Sequence, residues 1–206
     1  MTSAELGLRE RKRLATRRSI QVAALRLADE RGLSGVTVDE ITARADVSPR
    51  TFFNYFATKE QAVLGDPPTA PTGPVADAFV AGGSGDLLAD MRELISEVWR
   101  EAELDPDLTL LRQRIVKRYP ELLGRRIAST REFELEIAAL VVRRLERERP
   151  DRDPEARTRF ARLVTLVSMA AMRTAWQSWS GEDPEELHTL IAESFADLRT
   201  LLAPVP

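Results

Sequence analysis

TVDEITARADVSPRTFFNYFATKEQAVLG, residues 37–65, decides the fold, because three helix starts can be placed in it from capping chemistry alone. Thr37 precedes Val38-Asp39-Glu40, a Thr-x-x-Glu box whose two side chains satisfy backbone amides left over by a first turn. Ser48 is a second N-cap, with Pro49 at the first helical position, where a missing N–H costs nothing. Thr58 opens a third helix, with Gln61 three residues on. Val38, Ile41 and Ala45 form one apolar stripe on the first helix, and Phe52 and Phe56 share a face of the second. Only Asp46 and Val47 separate the two, so they must cross steeply as a helix-turn-helix unit.

On the face opposite Phe52 and Phe56, Arg50 and Asn54 point most directly away from the core, with Phe53 and Thr51 on the flanks. These side chains suit base edges: Arg forks onto guanine, Asn onto adenine, and Phe or a Thr methyl touches a thymine methyl. Tyr55 and Lys59 sit farther round, where a hydroxyl and an ammonium reach phosphate oxygens, as do the helix-starting amides at Val38 and Ser48. The plain alternative is a small helical hairpin with an ordinary polar surface. Phe53, an aromatic on the wet face of a very short helix, argues against it.

Charge distribution agrees. The chain is −3 overall, but residues 1–65 hold eleven Lys or Arg against eight Asp or Glu, which makes them +3 and the remainder −6. Six of the eleven, Arg13 and Arg17 among them, fall between Arg9 and Arg18. Taken alone such a run is a solvated helix end. Ahead of a helix-turn-helix it reads better as an arm laid along phosphates or into the minor groove, behind a disordered tail at 1–8. Helix 1 then runs to about Arg31, burying Ile20, Ala24, Leu27 and Ala28, and Gly32 ends it with a left-handed cap.

The run from Ala15 through Gly65, in particular AALRLADERG, TVDEITARADVS and PRTFFNYFATKE, resembles the N-terminal domain of TetR-family transcriptional regulators. The resemblance implies an all-α homodimer that binds a palindromic double-stranded operator, usually as a repressor, and is released by a small molecule in its C-terminal domain. It implies a recognition helix at 49–55, with Arg50, Thr51, Phe53, Asn54, Tyr55 and Lys59 at the DNA-contacting positions.

After Gly65 a Pro/Gly-rich connection, 66–86, interrupts the pattern where such regulators usually continue their fourth helix, so the lever between domains is expected to stop near Leu64. A short helical turn at Val75–Val80 is the one element expected within it. Residues 87–206 read as a helical ligand-binding and dimerisation domain, giving about nine helices in all. Its expected helices are Asp86 to before Asp105, 106–117, a long one from Pro120 to Arg149, Pro154–Ser180 and 184–203. From Phe160 the fourth of these is apolar in nearly every direction, so it and the last helix are expected to face a partner copy as a four-helix interface.

Trp99, Phe133, Met169, Met172 and Trp176 are the adaptable apolar groups expected to line an effector pocket, although such a stripe is as readily plain core. Arg173, among Met and Ala residues, needs either an acidic partner such as Glu134 or Glu136, or an anionic ligand head group. Arg112, Arg114, Lys117, Arg118, Arg125 and Arg126 form a basic patch, read as a solvated face or a hold on coenzyme A phosphates. The C-terminal run is similar to actinobacterial TetR proteins described as binding acyl-CoA-like ligands, so the expected effector is a fatty acyl chain, free or as its CoA thioester. A cationic or aromatic drug-like ligand is the other effector class.

A scaffold without DNA binding leaves Arg9–Arg18 unexplained. An enzyme has little to work with: one His, His188, no Cys, no strand pattern and no phosphate loop. No cofactor, metal or catalytic residue is expected. The absence of Cys fits a cytoplasmic protein, and no stretch is long and apolar enough to span a membrane.

Overall fold

The structure, a computed structural model, describes residues 7–102, 106–180 and 183–203, without the side chains of 99–102, 106, 107, 123, 129 and 184. The described residues hold no strand. They form eleven α-helices, more than the nine or so expected: α1 Leu8–Arg31, α2 Val38–Ala45, α3 Pro49–Tyr55, α4 Lys59–Leu64, α5 Pro74–Ala81, α6 Leu87–Ala102, α7 Pro106–Arg118, α8 Pro120–Ser129, α9 Arg131–Glu148, α10 Pro154–Ser178 and α11 Pro184–Leu202. A 3₁₀ turn, Leu33–Gly35, joins α1 to α2. None of these helices is long and apolar enough to cross a membrane.

The chain divides into two compact units, the first Met1–Asp66 with Asp107–Arg126, the second Pro67–Pro106 with Ile127–Pro206. The pair α7–α8 therefore groups with the helix-turn-helix head rather than with the helices on either side of it in sequence. The core of the first unit is Ile20, Leu25, Ile41, Phe52 and Phe56, with Ile115 and Leu122 from α7 and α8, all fully buried.

Three local outcomes differ from the sequence expectation. Helix α1 begins at Leu8, so Arg9–Arg18 are its first turns and not an extended arm. The run is rich in strong helix formers, and Glu10 pairs with Arg13 one turn on at 2.7 Å. The single helix expected over 120–149 is two: the Thr130 hydroxyl and N–H both donate to the Ile127 carbonyl, at 2.8 and 3.3 Å, closing α8 before α9 restarts. That break carries neither Pro nor Gly, and the apolar period runs straight across it. Gly32 has positive φ, +80°, but with ψ at 151° it is not in the helical left-handed region. In this head the residue in that region is instead Asp46, φ 53° and ψ 49°, which turns the chain between α2 and α3.

In the second unit α10 packs on α9 and α11, α6 lies against both α10 and α11, and α5 lies on α6 and α9. Met91, Ile95, Ile137, Val141, Ala161, Ala175, Trp179, Leu187 and Ile191 fill the centre, and the Trp179 indole N–H donates to the Asp183 carbonyl at 2.7 Å. Arg144 is wholly buried where α5, α6 and α9 meet, donating to Asp90 at 2.6 Å and Glu148 at 2.7 Å. The chain passes this network at Gly82, φ +78°, where a Cβ would lie 2.8 Å from the Glu148 carboxylate. Burial of α10 is less complete than its composition suggests: Leu163 and Leu166 are 57% and 52% exposed, and Ala170, Arg173 and Gln177 are open too. Their spacing of three and four residues makes one continuous open seam.

Candidate nucleic-acid interface

Helix α3 is short, so its orientation rests on what holds it. The Ser48 hydroxyl accepts the Thr51 N–H at 3.0 Å, and Phe52 and Phe56 are driven into the core. Arg50, Phe53 and Asn54 are thereby turned outward together, Phe53 being 58% exposed. The Phe53 ring is not loose: it meets Phe52 edge-on at 5.4 Å. Thr51 is half-buried, its hydroxyl 2.8 Å from Ser48 Oγ, and Tyr55 is half-buried as well. At α2 the expected capping box is complete, with Thr37 N–H donating to Glu40 at 2.9 Å and Glu40 N–H to the Thr37 hydroxyl at 3.3 Å. The Thr37 N–H and hydroxyl, and then the Arg31 guanidinium, hold the Glu40 carboxyl below its ordinary pKa. Val38 is half-buried beside this cap.

Three residues expected on phosphates have other partners within the head. Lys59 Nζ donates to the carbonyls of Leu33, at 2.9 Å, and Val36, at 2.7 Å, stapling the 3₁₀ turn to the start of α4. Arg17 forks onto the Asp66 carboxylate, donates to the Tyr55 carbonyl at 3.1 Å and lies 4.3 Å over the Phe56 ring. It therefore clamps the end of α3 against α1. Arg13 stays on the surface, paired with Glu10. The partners of Lys59 and Arg17 lie between 23 and 49 residues away in sequence, so no local pattern announces them.

The pair α7–α8 supplies contacts that sequence reasoning missed. Arg112 Nε donates to the Val63 carbonyl at 3.0 Å and Arg126 Nη1 to the Leu64 carbonyl at 2.7 Å. These carbonyls belong to the last turn of α4, where helix geometry leaves them without N–H partners and the helix dipole favours cations. Gly65, φ +73°, then turns the chain away, and a Cβ there would sit 3.0 Å from the Arg112 guanidinium. Burial, and then the Arg112 charge, pull the Arg126 pKa down to about 10, which leaves it a cation at neutral pH. Of the six basic residues expected as one patch, two thus turn inward on α4, while Arg114, Lys117, Arg118 and Arg125 are exposed. Their grouping sharpens the charge asymmetry. Residues 1–66 and 107–126 hold seventeen Lys or Arg and eleven Asp or Glu, or +6, so the second unit is −9 against −3 for the whole.

Residues 20–64 match the family model for bacterial regulatory proteins of the tetR family, and residues 85–203 match the MftR C-terminal domain. The HTH-type transcriptional regulator TcmR of Streptomyces glaucescens is 30% identical over 205 residues, covering 94% of this chain and 87% of TcmR. The chain belongs to the TetR family of transcriptional regulators. Among solved structures, a TetR-family regulator from Mesorhizobium loti is 20% identical, with 92% of this chain and 97% of that one covered and a TM-score of 0.43. FadR of Thermus thermophilus, solved with lauroyl-CoA, is 24% identical, with 92% and 98% covered and a TM-score of 0.36.

On the effector side of this TetR-family chain, the residues expected to line a pocket differ in burial. Phe133 and Met172 are buried core, and Met169 and Trp176 are half-buried. The Trp99 side chain lies outside the described residues. Arg173 is exposed, so water satisfies it; Glu136 instead accepts the Ala70 N–H at 3.2 Å. The second unit has a cleft of about 420 Å³ between α5 and α6 and another of about 590 Å³ among α8, α9 and α10, and none of the six residues lines either of these. Large apolar groups at helical spacing fill a core as well as they line a cavity, and the periodicity is the same.

Proposed function

We propose that this regulator is a repressor that binds a palindromic operator as a homodimer in the cytoplasm and leaves it when a small hydrophobic effector enters the second unit. The observation that carries the reading is the open face of α3: Arg50, Phe53 and Asn54 exposed together on a +6 unit, over a helix anchored from behind by Phe52 and Phe56. Arg50 forks onto guanine, Asn54 reads adenine, and Phe53 packs on a thymine methyl. The exposed Arg114, Lys117, Arg118 and Arg125 add to the attraction for phosphates. On an operator selected from random duplexes, Arg50→Ala should lose about 1–3 kcal/mol at one base pair of each half-site and bind random DNA as before. Equal losses on both would make Arg50 a phosphate contact instead.

Lys59 keeps one ammonium N–H beyond its two carbonyls, so a phosphate contact remains open to it, but its main role is inside the head. Lys59→Met should therefore destabilise the protein by about 1–3 kcal/mol, since it leaves two carbonyls without their charged donor. Urea unfolding checks this. An unchanged midpoint with a salt dependence flatter by about one charge would place the ammonium on DNA.

The dimer reading is supported by the open stripe of Leu163, Ala170, Arg173 and Gln177 on α10, the helix that packs against α11. Leu163→Glu with Ala170→Glu should turn a dimer into a monomer in light scattering. A dimer that survives both would put the interface elsewhere. For the effector, a fatty acyl chain, free or as a thioester, is the class carried forward, with a cationic or aromatic drug-like ligand as the alternative.

A further inference from the structure

The 590 Å³ cleft of the second unit has walls from α8, α9 and α10 and a distinct chemistry. Ile127, Leu135 and Leu166 line it and are 38%, 58% and 52% exposed, an unusual amount of open apolar surface for one cleft. Arg131 and Arg162 line it as well, both exposed, and neither makes a hydrogen bond or ion pair among the described residues. Glu134 is its one carboxylate, so the cleft is apolar with a net charge of +1 inside a unit of −9. Unneutralised guanidiniums beside open apolar surface fit a ligand that has both an anionic end and an apolar body.

We infer that this cleft is the effector site, and that it takes an anionic amphiphile, its chain over Ile127, Leu135 and Leu166 and its carboxylate or phosphate between Arg131 and Arg162. The inference rests on the regulator reading above and names the site and ligand chemistry of that response.

The test uses the full-length protein, with sodium dodecanoate, dodecyl phosphate and dodecyltrimethylammonium, each below its micellar concentration. Calorimetry reads binding and fluorescence anisotropy reads release from a selected operator. One or both anions should bind and release DNA, and the ammonium should do neither; which anion is tighter separates a carboxylate from a phosphate ligand. Arg131→Gln with Arg162→Gln should weaken anion binding about tenfold or more, the effect of roughly 1.4 kcal/mol. Leu135→Glu, at an exposed site where folding tolerates a charge, should shift preference toward the ammonium. Neither anion binding, or anion affinity unchanged in the double variant, overturns the inference. So does loss of the dimer in Leu135→Glu, which would make a second copy the occupant of the cleft. A protein that binds no duplex at all refutes the regulator reading instead, whereas one that binds its operator and ignores the amphiphiles refutes only this site.

Discussion

Phe52→Ala should abolish operator binding and lower stability by about 3–5 kcal/mol, the range for removing a buried phenylalanine. Its ring is fully buried and meets both Phe53 and Phe56, at 5.4 and 6.0 Å between centroids. Truncation leaves a cavity under a helix of seven residues, too short to hold itself together in water without that packing. The same ring backs Phe53 on the outer face, so the DNA-reading surface loses its support along with the core. Urea denaturation and operator binding measured on one preparation check both effects. A variant that keeps near-normal stability and operator affinity would mean that α3 is positioned by its caps and by the Arg17 clamp alone.

Arg144→Ala should cost the second unit a comparable amount, about 3–5 kcal/mol, for a different reason. Arg144 is completely buried, with Asp90 and Glu148 on two of its nitrogens, while Nη2 has no hydrogen-bond partner among the described residues. Removing the cation leaves the Asp90 carboxylate, only 14% exposed, without its counter-charge. The loss should therefore measure the stranded anion more than the worth of the pair. Arg144→Met combined with Asp90→Leu should recover much of it, because well-packed apolar replacements of buried ion pairs are often neutral. A double-mutant cycle in urea decides: if Arg144→Ala costs less than about 1 kcal/mol, water reaches this network freely and the ion pair behaves like a surface one.

What the sequence made legible was the local chemistry. The caps at Thr37, Ser48 and Thr58, the burial of Phe52 and Phe56 and the outward turn of Arg50, Phe53 and Asn54 all follow from residues within one or two helical turns, and all are found. Legibility fails where the partner is distant. Nothing near Lys59 points to Leu33 and Val36, and nothing in α7 or α8 points to the end of α4, so side chains expected on phosphates or CoA serve to hold the head together. Apolar periodicity fails in another way. It cannot tell core from cavity, so Phe133 and Met172 were as eligible for a pocket as for the interior they occupy. Nor did it register the break at Thr130, which Thr130 makes by donating back to Ile127.

Selection of a duplex from a random pool, followed by guanine-methylation interference on the selected sequence, tests the central claim most directly. If two copies of α3 read DNA, an inverted repeat emerges with half-site centres about 10–10.5 base pairs apart, or a multiple of that. Methylation at guanine N7 in the major groove then blocks binding in each half-site, and Arg50→Ala relieves the block at one guanine. Enrichment of no sequence, or a selected sequence in which methylation of no guanine interferes with binding, would contradict the account.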